Sequence, residues 1–389
     1  MSGLSLLEWA CLVPVVVGSF YYLACLDCVL IVRGRATTPP RIPKRGWPAA
    51  TILKPVHGLE KNLEKNLRSA CVQDYPKYQV VLSVQDENDP AIPLLRTLQS
   101  EYGSERVTVV IDHRQVGTNG KINNLIGGLA HARHEILVIS DSDVHVGPDY
   151  LKAIVAPLDD PDIGFVCTFF KATSAGSWFE KMELLTMNAC FFPDTVFAYV
   201  TKTAKFCIGS SVSFRRSTLQ SIGGLESLAD YLVEDYEMGR RIWEQGKRAE
   251  VVPYVVDTVV DLKSPSQWWN HQVYWDQNSC TVRPGALAST LIIRPVCFAF
   301  LFVILRLADP LGLLVLGGAV ALRLATAAGM LKYGLGDREG LKSLLLLPLR
   351  DIAGLVSLIL ALTQRTTVWR GKKYVLTRDG RMIPQEASL

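Results

Sequence analysis

Glu135-Ile136-Leu137-Val138-Ile139-Ser140-Asp141-Ser142-Asp143-Val144 is an apolar run that stops at a serine and delivers two carboxylates one residue apart. The run reads as a buried strand. Alternate residues of an extended chain point the same way, so Asp141 and Asp143 are placed to face one cation. Two carboxylates that close repel unless a cation or a proton intervenes. A hard divalent ion suits oxygen ligands and brings phosphate with it. On its own this short pattern equally describes an acidic turn after a strand, so its surroundings decide.

Around that stretch, short apolar runs alternate with helical ones. Strands are expected at 51–53, 79–84, 107–111 and 136–139, and helices at 59–70, 92–101 and 122–132. The spacing predicts an α/β domain with a mostly parallel, Rossmann-like sheet covered by helices. Ligands of such sheets bind beyond the carboxyl ends of the strands. Lys54 follows the first strand, Asp86 the second, and Asp141 and Asp143 the fourth. There is no GxGxxG and no GxxxxGK[ST], so a nucleotide site here is of neither the dinucleotide nor the P-loop kind.

Further on, the small residues Gly209, Ser210 and Ser211 permit close approach of a ligand to backbone. Glu234-Asp235-Tyr236 precedes Met238, Ile242 and Trp243 at helical spacing, which puts the acidic pair in a first helical turn. Carboxylates are favoured there with no catalytic duty at all. The alternative is a general base, which requires the pair to share a crevice with Asp141 and Asp143. Residues 178–200, rich in Phe, Met and Leu, suit either a core helix or one lying on a bilayer surface. The histidines are weaker candidates: His145 lies close enough to the DxD to ligate but is expected at the surface or in packing, and His57, after Lys54-Pro55-Val56, is a lesser candidate for a place near the nucleotide.

Hydrophobic residues make up 49% of the 389, and they concentrate at the two ends. No charge interrupts residues 9–26, and the apolar character continues to Val32; roughly 20 helical residues span a bilayer. The segment is too long for a cleaved signal peptide and lacks a basic start. Arg33, Arg35, Arg41, Lys44 and Arg45 follow, and the positive-inside bias makes that flank cytoplasmic. The net charge of +4 gives no reason to expect nucleic acid; beside a bilayer it favours lipid headgroups, and nothing in the pattern sets an oligomeric state. Nine scattered cysteines form neither a zinc site nor a disulfide framework.

Three apolar segments close the chain, near 291–307, 311–331 and 344–362, each bordering or containing a charge. Three crossings would put the basic tail, Arg365, Arg370, Lys372 and Lys373, on the wrong side, so one segment is expected to be re-entrant: the one interrupted at Pro348-Leu349-Arg350-Asp351. The expected division is an anchor at 1–35, a Pro-rich linker at 36–48 (Pro39, Pro40, Pro43, Pro48), a catalytic domain at 49–285, a membrane region at 286–365 and a basic cytoplasmic tail at 366–389.

Lys54-Pro55, Val84-Gln85-Asp86, Val116-Gly117 leading into Lys121-Ile122-Asn123-Asn124-Leu125, Asp141-Ser142-Asp143 and Glu234-Asp235-Tyr236, in that order, resemble the ceramide glucosyltransferase family, including bacterial and hopanoid-associated relatives. The resemblance covers about 49–283 and implies a membrane-anchored, inverting glycosyltransferase of GT-A fold. By that resemblance Asp86 contacts the uridine of a UDP-sugar, and Asp141 and Asp143 serve a Mg²⁺ or Mn²⁺ ion and the diphosphate, with Asp143 the direct ligand. Asp235 is the catalytic base with Glu234 beside it, and Lys54, Lys121, Gly209 and Ser210 line the donor site. The family's (Q/R)xxRW segment falls on His271-Gln272-Val273-Tyr274-Trp275, where only Trp275 matches. Tyrosine brings a hydrogen bond but no charge, so Arg283 or Lys121 is expected to offset the diphosphate instead. The implied product is a β-glycolipid made from a hexose, glucose by family, and a lipid hydroxyl. The rivals are a processive polysaccharide synthase and a non-catalytic nucleotide-binding membrane protein.

Overall fold

The structure, a computed structural model, describes residues 4–36, 42–203, 207–364, 366–369, 372–377 and 379–385. Pro39, Pro40 and Arg41 of the expected linker, and Arg365 and Arg370 of the tail, lie outside the described residues. The chain divides into two compact units: Ala36–Thr173, Lys202–Asp261 and Lys372–Leu389 form one, and Met1–Arg35, Ser174–Thr201 and Leu262–Gly371 the other.

The first unit is built on an eight-stranded sheet. Its strands are β1 (Ala50–Pro55), β2 (Tyr78–Val84), β3 (Val107–Ile111), β4 (Ile136–Ser140), β5 (Val144–His145), β6 (Ile163–Thr173), β7 (Ser211–Arg215) and β8 (Arg248–Val259). They lie in the order β3-β2-β1-β4-β7-β6-β8-β5. The four strands expected from the sequence form the parallel half. β1, β2 and β4 are buried along their whole length, as strands covered on both faces must be. β7 runs antiparallel to both β4 and β6, whereas β6 and β8 are parallel and β5 antiparallel to β8. The sheet is therefore mixed, with four parallel pairings among its seven. Pro253, which has no N–H to give the ladder, sits at a register slip: Thr168 faces Val252, and the next residue, Phe169, faces Val255.

The last part of this unit comes from residues 372–377 and 379–385 of the expected tail. Lys372–Leu376 pairs antiparallel with Met382–Pro384. Met382 N donates to Asp230 O (2.8 Å) and Leu232 N to Gly380 O (3.0 Å), so the hairpin is fastened to the loop just before Glu234.

The second unit gathers the apolar helices. Three are long and apolar enough to cross a membrane: Leu6–Ala36, Pro310–Leu335 and Leu344–Thr363. The break expected at Pro348 is absent. Pro348 does not interrupt its segment, because it occupies the first turn of Leu347–Thr363, where no intrahelical N–H is needed. The short member is Pro295–Leu305, whose 11 residues reach about 16 Å.

This division differs from the expected boundaries at 49–285. Residues 174–201 and 262–285 belong with the apolar helices because their buried faces pack there: Leu185 and Ala189 share one cluster with Ala327, Leu331 and Leu347. Of the two readings of 178–200, core packing is what the structure shows; the stretch opens with a Ser177–Glu180 capping box and carries a wide turn at Met187–Phe191. Inside this unit Arg323 is fully buried. Its Nε bonds Asp351 Oδ2 (2.9 Å), Nη2 donates to Ala189 O (3.2 Å), and Tyr22 stacks on the guanidinium at 4.1 Å.

Removing one partner of such a pair leaves a bare buried charge, so Arg323→Met should cost about 3–5 kcal/mol, and Arg323→Met with Asp351→Leu should recover most of it. Thermal unfolding midpoints of the detergent-solubilised variants measure both.

Candidate active site

β1, β2 and β4 are parallel neighbours, so their carboxyl ends, bearing Lys54, Asp86 and Asp141 to Asp143, open on one edge of the sheet. β7 is antiparallel, so its amino end meets that same edge: Ser140 pairs with Ser211, and Asp141 N donates to Ser210 O (3.1 Å). The topology thus brings Gly209 and Ser210 against Asp141.

Lys121 closes the ring. It lies on helix Gly120–Leu129, started by Asn119, whose side chain accepts from the N–H groups of Lys121 and Ile122. Lys121 Nζ pairs with Asp141 Oδ1 at 2.8 Å and with Glu234 Oε1 at 3.2 Å, and donates to Gly209 O at 3.3 Å. Asn119 Nδ2 donates to the other oxygen of Glu234 (3.1 Å) and to Tyr231 O (2.9 Å). Glu234 and Asp235 open helix Glu234–Glu244, as expected from spacing; Met238 and Ile242 turn inward while Trp243 is exposed. The acidic pair and the DxD therefore share one site. Gly209 is required by this arrangement, because a β-carbon on it would run into the Asp235 carboxyl.

The carboxylates are crowded. Burial, and then the charge of Glu234, raise Asp235 to about 7. Burial raises Asp143 to about 7 as well, followed by the charges of Asp141 and Glu60. Lys121 resists its own burial because Asp141 and Glu234 hold it protonated, well above the usual lysine range. Among the described residues no hydrogen bond or ion pair engages the Asp143 carboxylate. A divalent cation fits there, replacing a proton that crowding would otherwise retain. No three His, Cys, Asp or Glu side chains converge as a ready-made cage among the described residues, so a cation here would need oxygen donors from outside the protein as well.

Other expected residues fall differently. Lys54, expected to contact the donor, is fully enclosed: its ammonium donates to Asp141 O (2.7 Å) and Val144 O (3.0 Å), bracing the DxD loop, and burial lowers it to about 8. Asp86 is exposed, and its Oδ1 accepts from Asn88 N (2.9 Å). His57 is mostly exposed, 3.8 Å from Asp89, and His145 pairs through its backbone in β5. His271, Tyr274, Trp275 and Arg283 belong to the other unit. There Trp275 Nε1 donates to His271 Nε2 (2.8 Å), which leaves the imidazole proton on Nδ1 to face Glu183 (2.8 Å), and Tyr274 stacks on His271. The substituted motif is thus held within its own hydrogen-bond chain. Sequence reasoning missed Asn119, which the helix-start pattern before Lys121 would have flagged, and Glu60, which accepts from Ser142 Oγ (2.7 Å) and carries no signal.

With this geometry in view, residues 10–382 match the model of glycosyl transferase family 21. The chain belongs to glycosyl transferase family 21. The resemblance to ceramide glucosyltransferases is thereby borne out. Ceramide glucosyltransferase 1 of Caenorhabditis elegans is 26% identical over 215 residues, covering 54% of this chain and 45% of that one. Ceramide glucosyltransferase 3 of the same organism is 22% identical over 353 residues, covering 87% and 74%. This family 21 chain therefore spans about half the length of the first relative and three quarters of the second. Its fold is similar to that of the mannosyltransferase PcManGT from Pyrobaculum calidifontis, solved with GDP-Man and Mn²⁺, at 20% identity and a TM-score of 0.53 over 91% of this chain and 99% of that one. The GT-A expectation stands on that likeness.

Gly209→Ala should displace the Asp235 carboxyl and lower turnover by about 10²-fold or more, as small misplacements of reacting groups do, while the sheet beneath keeps its thermal stability. Turnover and unfolding midpoint measured on one preparation check both halves.

Proposed function

We propose that this family 21 glycosyltransferase moves a hexose, glucose by family, from a UDP-sugar to the hydroxyl of a ceramide-class lipid with inversion. The observation that carries the reading is Lys121, whose single ammonium ties Asp141 of the DxD to Glu234 of the acidic pair. Donor-binding and proton-accepting carboxylates thereby occupy one crevice. The C. elegans relatives, named ceramide glucosyltransferases, support the choice of substrates.

Each residue has a role suited to its surroundings. Asp235, held near 7, is a base matched to neutral pH, and takes the proton of the acceptor hydroxyl. Glu234 sustains that pKa and anchors Lys121. Asp143, with Asp141, would hold Mg²⁺ or Mn²⁺, which when bound would supply positive charge against the departing diphosphate. Lys121, paired with Asp141 and Glu234, offsets the diphosphate charge, a role the altered His271 to Trp275 segment leaves open. Asp86, at the same sheet edge, receives the uridine, and Gly209 and Ser210 let the donor approach backbone. Arg33 and Arg35 end the N-terminal helix, and the positive-inside bias supports a sheet unit on the cytoplasmic side.

Asp235→Asn should lower ceramide glucosylation by about 10²–10⁴-fold with UDP binding retained. The base must be ionised to act, so the wild-type kcat/KM should rise with pH through about 7 and level above it. Product formation from UDP-glucose and ceramide across pH measures both; a flat profile from 5.5 to 8.5 would remove Asp235 as base. Metal ligation needs ionised carboxylates, so Mn²⁺ affinity, read by calorimetry, should weaken as pH falls below about 7 and vanish in Asp143→Asn.

A further inference from the structure

Two of the long apolar helices, Leu6–Ala36 and Pro310–Leu335, lie side by side and point the same way, as contacts at both of their ends show. At the first end Arg306, just before the second helix, bonds Glu8 of the other (2.8 Å) and also its own neighbour Asp309. At the second end Arg33 donates to the carbonyl of Tyr333. Glycines let the helices close up there: a β-carbon on Gly334 would stand 2.5 Å from Val29, and one on Gly329 would stand 2.9 Å from Leu26. Cations carried by two helices are thereby brought to one place.

The two ends differ in their balance of charge. Arg306 is offset by two carboxylates. At the glycine-lined end Arg33, Arg35, Lys332 and Arg338 are exposed, and none of them pairs with a carboxylate among the described residues. The acids beside them are committed elsewhere. Asp337 accepts from Gly340 N (2.9 Å) and from Asn188 (2.8 Å), and Glu339 pairs with Lys342 (2.7 Å). Asp27, the nearest acid on the N-terminal helix, precedes Arg33 by six residues, about 9 Å of helix. Tyr333 joins the cations: Arg33 is on its carbonyl, the Lys332 ammonium is 5.1 Å from its ring centre, and the ring is 47% exposed. Just before Arg33 on the same helix, Leu23, Leu30 and Ile31 are exposed, a surface suited to acyl tails. An apolar flank that ends in unpaired cations fits a lipid with an anionic head. A soluble phosphate would use only the cations, and a choline head would set its own positive charge against them.

We propose that this end of the helix pair binds the headgroup of an anionic phospholipid, with Arg33, Lys332 and Arg338 on its phosphate and its tails along the exposed side of the N-terminal helix. The site is separate from the sugar-transfer machinery and does not depend on the reading of that activity. The test uses the full chain in nanodiscs of equal parts phosphatidylglycerol and phosphatidylcholine, taken up in mild detergent, with the lipids that stay on the protein counted by mass spectrometry. Phosphatidylglycerol should be retained over phosphatidylcholine by about tenfold or more. A cation at a bilayer surface is worth about fivefold in affinity, so Arg33→Gln, Lys332→Gln and Arg338→Gln should each lower that ratio by about fivefold, and the three together should bring it to parity. Lys77→Gln with Arg96→Gln removes two exposed charges from the sheet unit and should leave the ratio unchanged. Equal retention of the two lipids by the unsubstituted protein overturns the proposal without recourse to any variant. A ratio lowered as much by Lys77→Gln with Arg96→Gln as by Arg33→Gln overturns it in favour of net charge alone. Displacement of phosphatidylglycerol by millimolar glycerol phosphate overturns it in favour of a soluble phosphate.

Discussion

One ammonium group organises the catalytic unit. Lys121 sits between Asp141 and Glu234, carboxylates that are far apart in the chain and would repel across a half-buried site. Its charge lets the end of a parallel strand and the start of a helix come together. Asp235 and Asp143 flank that pair without the same relief, and their raised proton affinities are the consequence. Lys121 thus compensates Asp141 and Glu234, and leaves Asp143 and Asp235 with a tendency to keep a proton.

The sheet sets the distances that the lysine then holds. A wholly parallel sheet would have put the amino end of β7 on the far edge. Its reversal brings Gly209 and Ser210 to the DxD. Lys54, buried beneath, ties the carbonyls of Asp141 and Val144 and keeps the turn from opening. The two lysines thus act on different parts of one loop, Lys54 on its backbone and Lys121 on its side chains.

Much of this is legible in the chain. β1 to β4 stand out as apolar runs between helical stretches, because a strand covered on both faces has no choice but to be apolar. The DxD, Lys121 and the acidic pair are recognisable by type and position. β6 and β8 escape that reading, although Ile163–Thr173 and Arg248–Val259 are rich in β-branched and aromatic residues; β7 is short, carries two serines, and takes its direction from partners distant in sequence. Lys54 reads as a ligand contact because sequence shows a cation at a strand end and not what encloses it. Pro348 reads as a break because its place in the first helical turn depends on where the helix begins.

The C-terminal hairpin has a bearing on biosynthesis. The loop before Glu234 is held by residues about 150 positions further along, after both long C-terminal apolar helices. A ribosome that has finished the sheet has not yet made the piece that steadies this loop. The start of helix Glu234–Glu244 is thus steadied only after the long apolar helices have been synthesised and the hairpin has docked.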